Sequence, residues 1–76
     1  MATYQGHKNW NQWNVALWIS NDEPLYREAV RVYRMCSTVD GAARLLQAYL
    51  PERTPDGARY SIAAVRAALV GLEIER

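Results

Sequence analysis

Apolar residues recur along most of the chain at the three- and four-residue spacing of helices, and breaker residues divide them into four segments. The first segment begins at Trp10, where Asn9 can cap a helix, and it is apolar on nearly all sides. The second follows Asn21 or Asp22, either of which can serve as its N-cap, and is expected to end near Cys36. Two helices are therefore predicted in this half, the first of them at the centre of the fold.

The second half of the chain predicts two further helices. The clearest helical period follows Ser37 or Thr38 and is ended by Pro51. After a loop rich in proline and glycine, a last helix is expected to end near Leu72, although residues 59–62 also fit a short extended piece. The predicted fold class is all-α, a small single-domain bundle of about four helices.

A chain of 76 residues has room for one hydrophobic core, so residues 1–76 are assigned to a single domain, with the polar residues 1–8 as a flexible tail. The chain contains three tryptophans and five tyrosines but no phenylalanine, so these large rings are expected in the hydrophobic core. The alternative is that the tryptophans form an exposed platform for bases or for a protein. The predicted core contains Trp10, Trp13, Leu17, Trp18, Leu25, Tyr33, Leu46 and Leu69.

Asn14 is a polar residue in an apolar setting. On a helical wheel it lies between Leu17 and Trp18, inside the apolar arc of the first helix. A buried amide must find hydrogen-bond partners, and a loop or an indole N–H would supply them. We therefore expect Asn14 to be part of the structural core, with a ligand-facing amide as the other interpretation.

Three arginines share one face of the second predicted helix. Arg27, Arg31 and Arg34 follow one another at helical spacing and form what we call the Arg ridge. Forked guanidinium groups can bind phosphate or an acidic protein surface, so the ridge is the candidate partner-binding site. Glu23 and Glu28 precede two of these arginines by one helical turn, so an ordinary solvated face is the alternative.

Catalytic and metal-binding chemistry finds little support in the sequence. Cys36 is the only cysteine and His7 the only histidine, and they would provide too few ligands for a metal site. No nucleophile has a base near it in sequence. The expectation is a protein without catalytic residues, metal or cofactor, located in the cytoplasm, since no apolar run has the length of a membrane span.

Residues 9–26 read N-W-N-Q-W-N-V-A-L-W-I-S-N-D-E-P-L-Y. This segment resembles the signature N-W-x-T-W-N-V-x-L-W-I-x-N-D-E-x-L-Y of a family of small proteins carried by phages and mobile elements of bacteria. Asn11 and Gln12 stand where that family has an acidic residue and a threonine. The matching positions are Trp10, Trp13, Asn14, Val15, Leu17, Trp18, Ile19, Asn21, Asp22, Glu23, Leu25 and Tyr26.

Some members of that family are anti-CRISPR proteins, and the remainder of the chain resembles one directed against a type I-C system. The resemblance implies a protein of the bacterial host cell that binds a type I CRISPR interference complex, specifically type I-C, and sterically blocks its engagement with target DNA. A net charge of +1 disfavours a DNA mimic. No membrane contact and no sequence-specific nucleic acid are expected, and monomer and homodimer both stay open.

The alternative function belongs to another class of protein. A small nucleic-acid-binding regulator of phage or mobile-element origin would use the Arg ridge on phosphates. Its binding would weaken steeply as salt is raised, whereas a contact between two proteins depends on salt less.

Overall fold

The structure, a computed structural model, describes residues 9–75 and contains four helices. The predicted all-α fold of about four helices is confirmed, whereas the predicted tail, residues 1–8, lies outside the described residues. The helices are α1 (Trp10–Asn21), α2 (Glu23–Met35), α3 (Val39–Tyr49) and α4 (Ile62–Gly71).

Each helix begins at a polar cap. Asn9 accepts a hydrogen bond from the backbone N–H of Gln12 and caps α1, as the sequence predicts. The N-cap of α2 is Asp22, which also ends α1, so the two helices are separated by a single residue. Thr38 caps α3, and Ser61 caps α4. Each cap side chain satisfies an amide that the first turn leaves open, and this fixes the start of each helix. The structure selects Asp22 and Thr38 from the alternatives that the sequence offers, and it adds Ser61, which the sequence analysis did not name.

The helices pack in a ring in which each contacts the next. The α1 helix lies against α2 and α4, and α3 lies against the same two helices from the other side. Small side chains make close approach of these helices feasible, since the buried face of each helix after α1 contains at least one alanine. The radius of gyration of 11.4 Å agrees with the value of about 11 Å expected for a compact chain of this length.

The core is built from aliphatic side chains rather than from the tryptophans. Leu46 and Leu69 are buried, as predicted, whereas Trp13, Leu17, Trp18, Leu25 and Tyr33 are only half-buried. The prediction that Trp10 belongs to the core is wrong, because this residue is 40% exposed. The buried apolar residues are Val15, Ile19, Ala29, Val32, Ala42, Ala43, Leu46, Ala58, Tyr60, Ala64, Val65, Ala68 and Leu69.

The orientation of α1 explains the position of Trp10. At about 100° per residue, Val15 and Ile19 lie on nearly the opposite side of the helix from Trp10. Both sides are apolar, so the sequence alone did not decide which one is buried. The structure buries Val15 and Ile19, whose branched side chains fill the limited space between alanine-lined helices.

Candidate functional site

Between α3 and α4 the chain folds into a short hairpin, residues 52–60, that packs on α1. Arg53 and Arg59 form an isolated antiparallel bridge. Two backbone bonds flank it, from the Tyr60 N–H to the Glu52 carbonyl (3.0 Å) and from the Thr54 N–H to the Ala58 carbonyl (2.7 Å). The proposed extended character of residues 59–62 is thus seen at Arg59, whereas Ile62 already belongs to α4.

A tight turn closes the tip of this hairpin. The backbone N–H of Gly57 donates to the carbonyl of Thr54 (2.9 Å), and Gly57 has a φ of 97°. Glycine adopts this left-handed conformation without steric cost. The sequence Thr54-Pro55-Asp56-Gly57 has the composition typical of such a turn, with proline first inside it and glycine last. This four-residue pattern is the signal that could have predicted the hairpin.

Asn14 connects α1 to the hairpin through a buried network. Its side-chain oxygen accepts a hydrogen bond from the Thr54 hydroxyl (2.6 Å), and its amide donates to Oδ2 of Asp56 (2.8 Å). The Thr54 hydroxyl also accepts from the backbone N–H of Ala58 (3.0 Å). The structural interpretation of Asn14 is confirmed, since this buried amide binds a loop. Every buried side-chain polar atom within residues 9–75 has a partner.

Asn11 holds the same hairpin by its outer edge. Its amide donates to the carbonyl of Arg59 (2.9 Å), and its carbonyl oxygen accepts from the N–H of Arg59 (2.7 Å). The side chain therefore replaces the peptide group of a neighbouring strand. Sequence reasoning treated Asn11 only as a departure from a family pattern, because nothing in the linear sequence links it to a residue 48 positions away.

Asp56 accepts hydrogen bonds from two side chains of α1. Its Oδ2 accepts from the Asn14 amide and from the indole Nε1–H of Trp18 (2.9 Å). These two hydrogen bonds, that from Asn14 being the stronger influence, lower the pKa of Asp56 below its ordinary value of 3.8. We call this set of hydrogen bonds between α1 and the hairpin the clamp. It consists of Asn11, Asn14 and Trp18 on α1, and of Thr54, Asp56 and Arg59 on the hairpin.

The lowered pKa of Asp56 predicts a pH dependence of stability. A carboxyl group with a lower pKa in the folded state stabilises the fold above its ordinary pKa, and the contribution is lost as the pH falls through the folded value. We expect the free energy of unfolding to decrease below about pH 4. Chemical denaturation of the wild type and of Asp56→Asn between pH 2.5 and 6 measures this. The variant, which keeps an acceptor oxygen, should show a shallower decrease, and identical slopes would contradict the assignment.

The Arg ridge is exposed on α2, but two of its three arginines form ion pairs within the protein. Arg27 pairs with Glu23, and Arg31 pairs with Glu28. The hydrogen bond from Arg31 is the main reason that the pKa of Glu28 is lowered. Arg34 donates from Nε to the backbone carbonyl of Glu75 (3.1 Å), and no carboxylate within residues 9–75 pairs with it. The ridge therefore presents one uncompensated cation rather than three.

Apolar side chains lie between the arginines. A shallow groove along α2, here called the α2 groove, combines the ridge with exposed Tyr26, half-buried Val30 and the 60% exposed side chain of Met35. The Nη1–H of Arg31 donates to the Met35 sulfur (3.0 Å), which orients both side chains. The residues that line the groove are Tyr26, Arg27, Val30, Arg31, Arg34 and Met35.

The tryptophans do not form one stacking platform. Trp18 is half-buried, and its indole N–H is engaged with Asp56. Trp13 lines a second groove between α1 and α4, together with Leu17 and Leu72. Trp10 is exposed at the start of α1. The rings are thus divided between the clamp, a helix junction and the surface.

Among residues 9–75, His, Cys, Asp and Glu side chains form no group of three that could hold a metal ion. His7 lies outside the described residues, and Cys36, the only cysteine of the chain, is half-buried. Within the same range, the helices are too short or too polar to cross a bilayer.

The chain belongs to DUF7249, a family of unknown function, whose model matches residues 1–71. This range includes all four helices and the hairpin. No curated protein and no solved structure matches the chain significantly.

Proposed function

We propose that this member of the DUF7249 family is an anti-CRISPR protein that binds a type I interference complex, specifically type I-C, through the α2 groove. The proposed effect is steric, since a protein seated on the complex keeps target DNA from engaging it. The role rests on the resemblance of residues 9–26 to the signature of small phage and mobile-element proteins. The choice of surface rests on the composition of the α2 groove.

The α2 groove has the composition of a protein interface. Tyrosine, methionine and arginine are the residue types enriched where proteins bind each other, and the groove exposes all three on one rigid helix. The pKa of Arg31 is raised mainly by its hydrogen bond to Glu28 and also by Tyr49 of the neighbouring α3. Tyr49 is 61% exposed and therefore lies beside the groove as an accessible side chain. An apolar floor with guanidinium groups at its edge suits a partner surface that carries both apolar and acidic side chains.

The ion pairs on α2 favour a protein partner over nucleic acid at this surface. Glu23 and Glu28 lie against two of the three ridge arginines, so a phosphate backbone would meet carboxylates beside the guanidinium groups. Exposed ion pairs of this kind contribute little to stability and exchange partners readily. A protein surface with both charges and apolar groups can replace those pairs without net repulsion.

A steric inhibitor of this size requires a modest contact area. Standard interfaces bury about 800 Å² on each partner. The chain exposes 4963 Å² in total, so one such interface would occupy roughly a sixth of its surface.

Charge reversal on α2 provides the test. We expect the double variant Arg31→Glu and Arg34→Glu to require on the order of tenfold more protein than wild type to block target-DNA binding by a purified type I-C interference complex. Adding Arg27→Glu should abolish inhibition. A gel shift of labelled target duplex with the complex measures both effects, and thermal unfolding of each variant confirms that it is folded.

The chain offers a closely matched control for the double reversal. Arg66 pairs with Asp40 as Arg31 pairs with Glu28, and Arg44 on α3 is exposed and, like Arg34, has no carboxylate partner within residues 9–75. Arg44→Glu with Arg66→Glu changes the net charge by the same amount and should inhibit as wild type does. Equal inhibition by both doubles and wild type would remove the α2 groove from the proposal. Direct binding of the protein to target duplex without the complex would instead support the regulator.

A further inference from the structure

The hairpin holds two arginines face to face. The hydrogen bonds that flank Arg53 and Arg59 make them a non-hydrogen-bonded cross-strand pair, the arrangement in which opposite side chains are closest. Their Cβ atoms are about 5 Å apart in such a pair. Thr54, Ala58 and Tyr60 alternate with them and are buried, so Arg53 and Arg59 point away from the core, and both are exposed.

This arrangement places like charges opposite each other without an acidic partner. Directly opposed like charges destabilise a pair of strands. Within residues 9–75, the carboxylates that form ion pairs serve Arg27, Arg31 and Arg66, and none pairs with Arg53 or Arg59. Asp56, in the same hairpin, directs Oδ2 to α1 instead. The arginines of α2 are mostly compensated, whereas this pair is not.

The clamp fixes the backbone beneath these two arginines. Both polar backbone groups of Arg59 are bonded to Asn11, and Thr54, next to Arg53, is bonded to Asn14. Arg53 donates from Nη1 to the carbonyl of Gly57 (3.0 Å), which holds its guanidinium over the turn and leaves its other N–H groups for a ligand. A fixed pair of guanidinium groups loses less freedom on binding than two unrestrained side chains do.

We propose that the Arg53–Arg59 pair is a binding site for a phosphate group, either free phosphate or a phosphate of a nucleic-acid backbone. Guanidinium groups match phosphate oxygens with two parallel hydrogen bonds each, and a phosphate anion between them reduces the repulsion that the hairpin otherwise carries. The site lies outside the α2 groove and does not depend on the proposed inhibition of an interference complex.

The test uses the whole ¹⁵N-labelled protein and two probes at constant low ionic strength. Inorganic phosphate and single-stranded twelve-nucleotide oligothymidine are titrated separately while the Nε–Hε signals of all arginines are followed by NMR. We expect saturable shifts of the Arg53 and Arg59 signals that exceed those of every other arginine. This readout needs no variant, so a folding defect cannot obscure it.

Variants then distinguish a specific binding site from nonspecific electrostatic attraction of anions. Arg53→Gln with Arg59→Gln should weaken at least tenfold the binding of whichever probe binds to the wild-type protein. Arg44→Gln with Arg66→Gln removes the same charge from two exposed arginines outside both the hairpin and the α2 groove, and should change binding less than twofold. For the oligonucleotide, the dependence of log affinity on log salt should become shallower by about 1.4 in the hairpin variant, for two lost phosphate contacts.

The two probes identify the source of the phosphate. Saturation by inorganic phosphate without oligonucleotide binding supports a site for free phosphate, and tighter oligonucleotide binding that inorganic phosphate displaces supports a nucleic-acid backbone. Equal weakening by the two double variants overturns the proposal, because net charge alone would explain it. The absence of saturable shifts with both probes overturns it as well.

Discussion

Leu46→Ala is expected to destabilise the protein by about 2–5 kcal/mol, the cost measured for removing a buried leucine side chain. Leu46 is fully buried on α3, the helix that packs between α2 and α4. A domain of this length has a free energy of unfolding of about 4–11 kcal/mol in total. The variant should therefore unfold at a markedly lower denaturant concentration, which equilibrium unfolding in urea measures.

The neighbouring leucine serves as the control for this substitution. Leu45 is on the same helix but half-buried, so Leu45→Ala removes the same atoms from a site with less packing to lose. Its effect should be clearly smaller than that of Leu46→Ala. Equal effects of the two substitutions would mean that the core does not centre on the Leu46 side of α3.

The second large effect is expected from Thr54→Val, which keeps the shape of the side chain and removes its hydroxyl. That hydroxyl donates to Asn14 and accepts from the N–H of Ala58, and all three residues are buried. Leaving a buried polar group without a partner costs about 1–3 kcal/mol, so two such groups together should cost about 2–6 kcal/mol. Urea unfolding gives the total, and faster hydrogen exchange of the Ala58 amide would locate the loss.

Thr54→Ser separates the hydroxyl from the methyl group. Serine keeps both hydrogen bonds and loses one buried methyl, for which about 1 kcal/mol is expected. The serine variant should therefore be much closer to wild type than the valine variant. If serine proved as damaging as valine, packing rather than the hydrogen-bond network would be the important contribution of Thr54.

The helices could be predicted because their signals are local. Asn9, Asp22 and Thr38 each accept a hydrogen bond from an amide three residues later, a relation that is visible in the sequence. The period of α3 likewise depends only on neighbouring residues. Even Asn14 could be assigned a structural role, because a polar residue in an apolar arc requires a partner wherever that partner lies.

The surface was harder to predict because it depends on distant residues and on which side of a helix is buried. Trp10 was placed in the core because tryptophan is large and apolar, but α1 has two apolar sides, and its contacts with α2 and α4 select the side of Val15 and Ile19. Nothing in the linear sequence indicates that Arg53 and Arg59 lie side by side. Only the hairpin, whose turn sequence was not recognised, brings these two arginines together.

The clamp also determines when α1 can form its tertiary hydrogen bonds during synthesis of the protein. Its hydrogen bonds join residues between 38 and 48 positions apart, and the last of them requires Arg59. Because the ribosome makes α1 before the hairpin, Asn14 is synthesised 40 residues before Thr54 and 42 residues before Asp56. The α1 segment contains no charged residue. Until the hairpin has been synthesised, its apolar sides and the Asn14 side chain lack their partners and are exposed to aggregation or to chaperone binding.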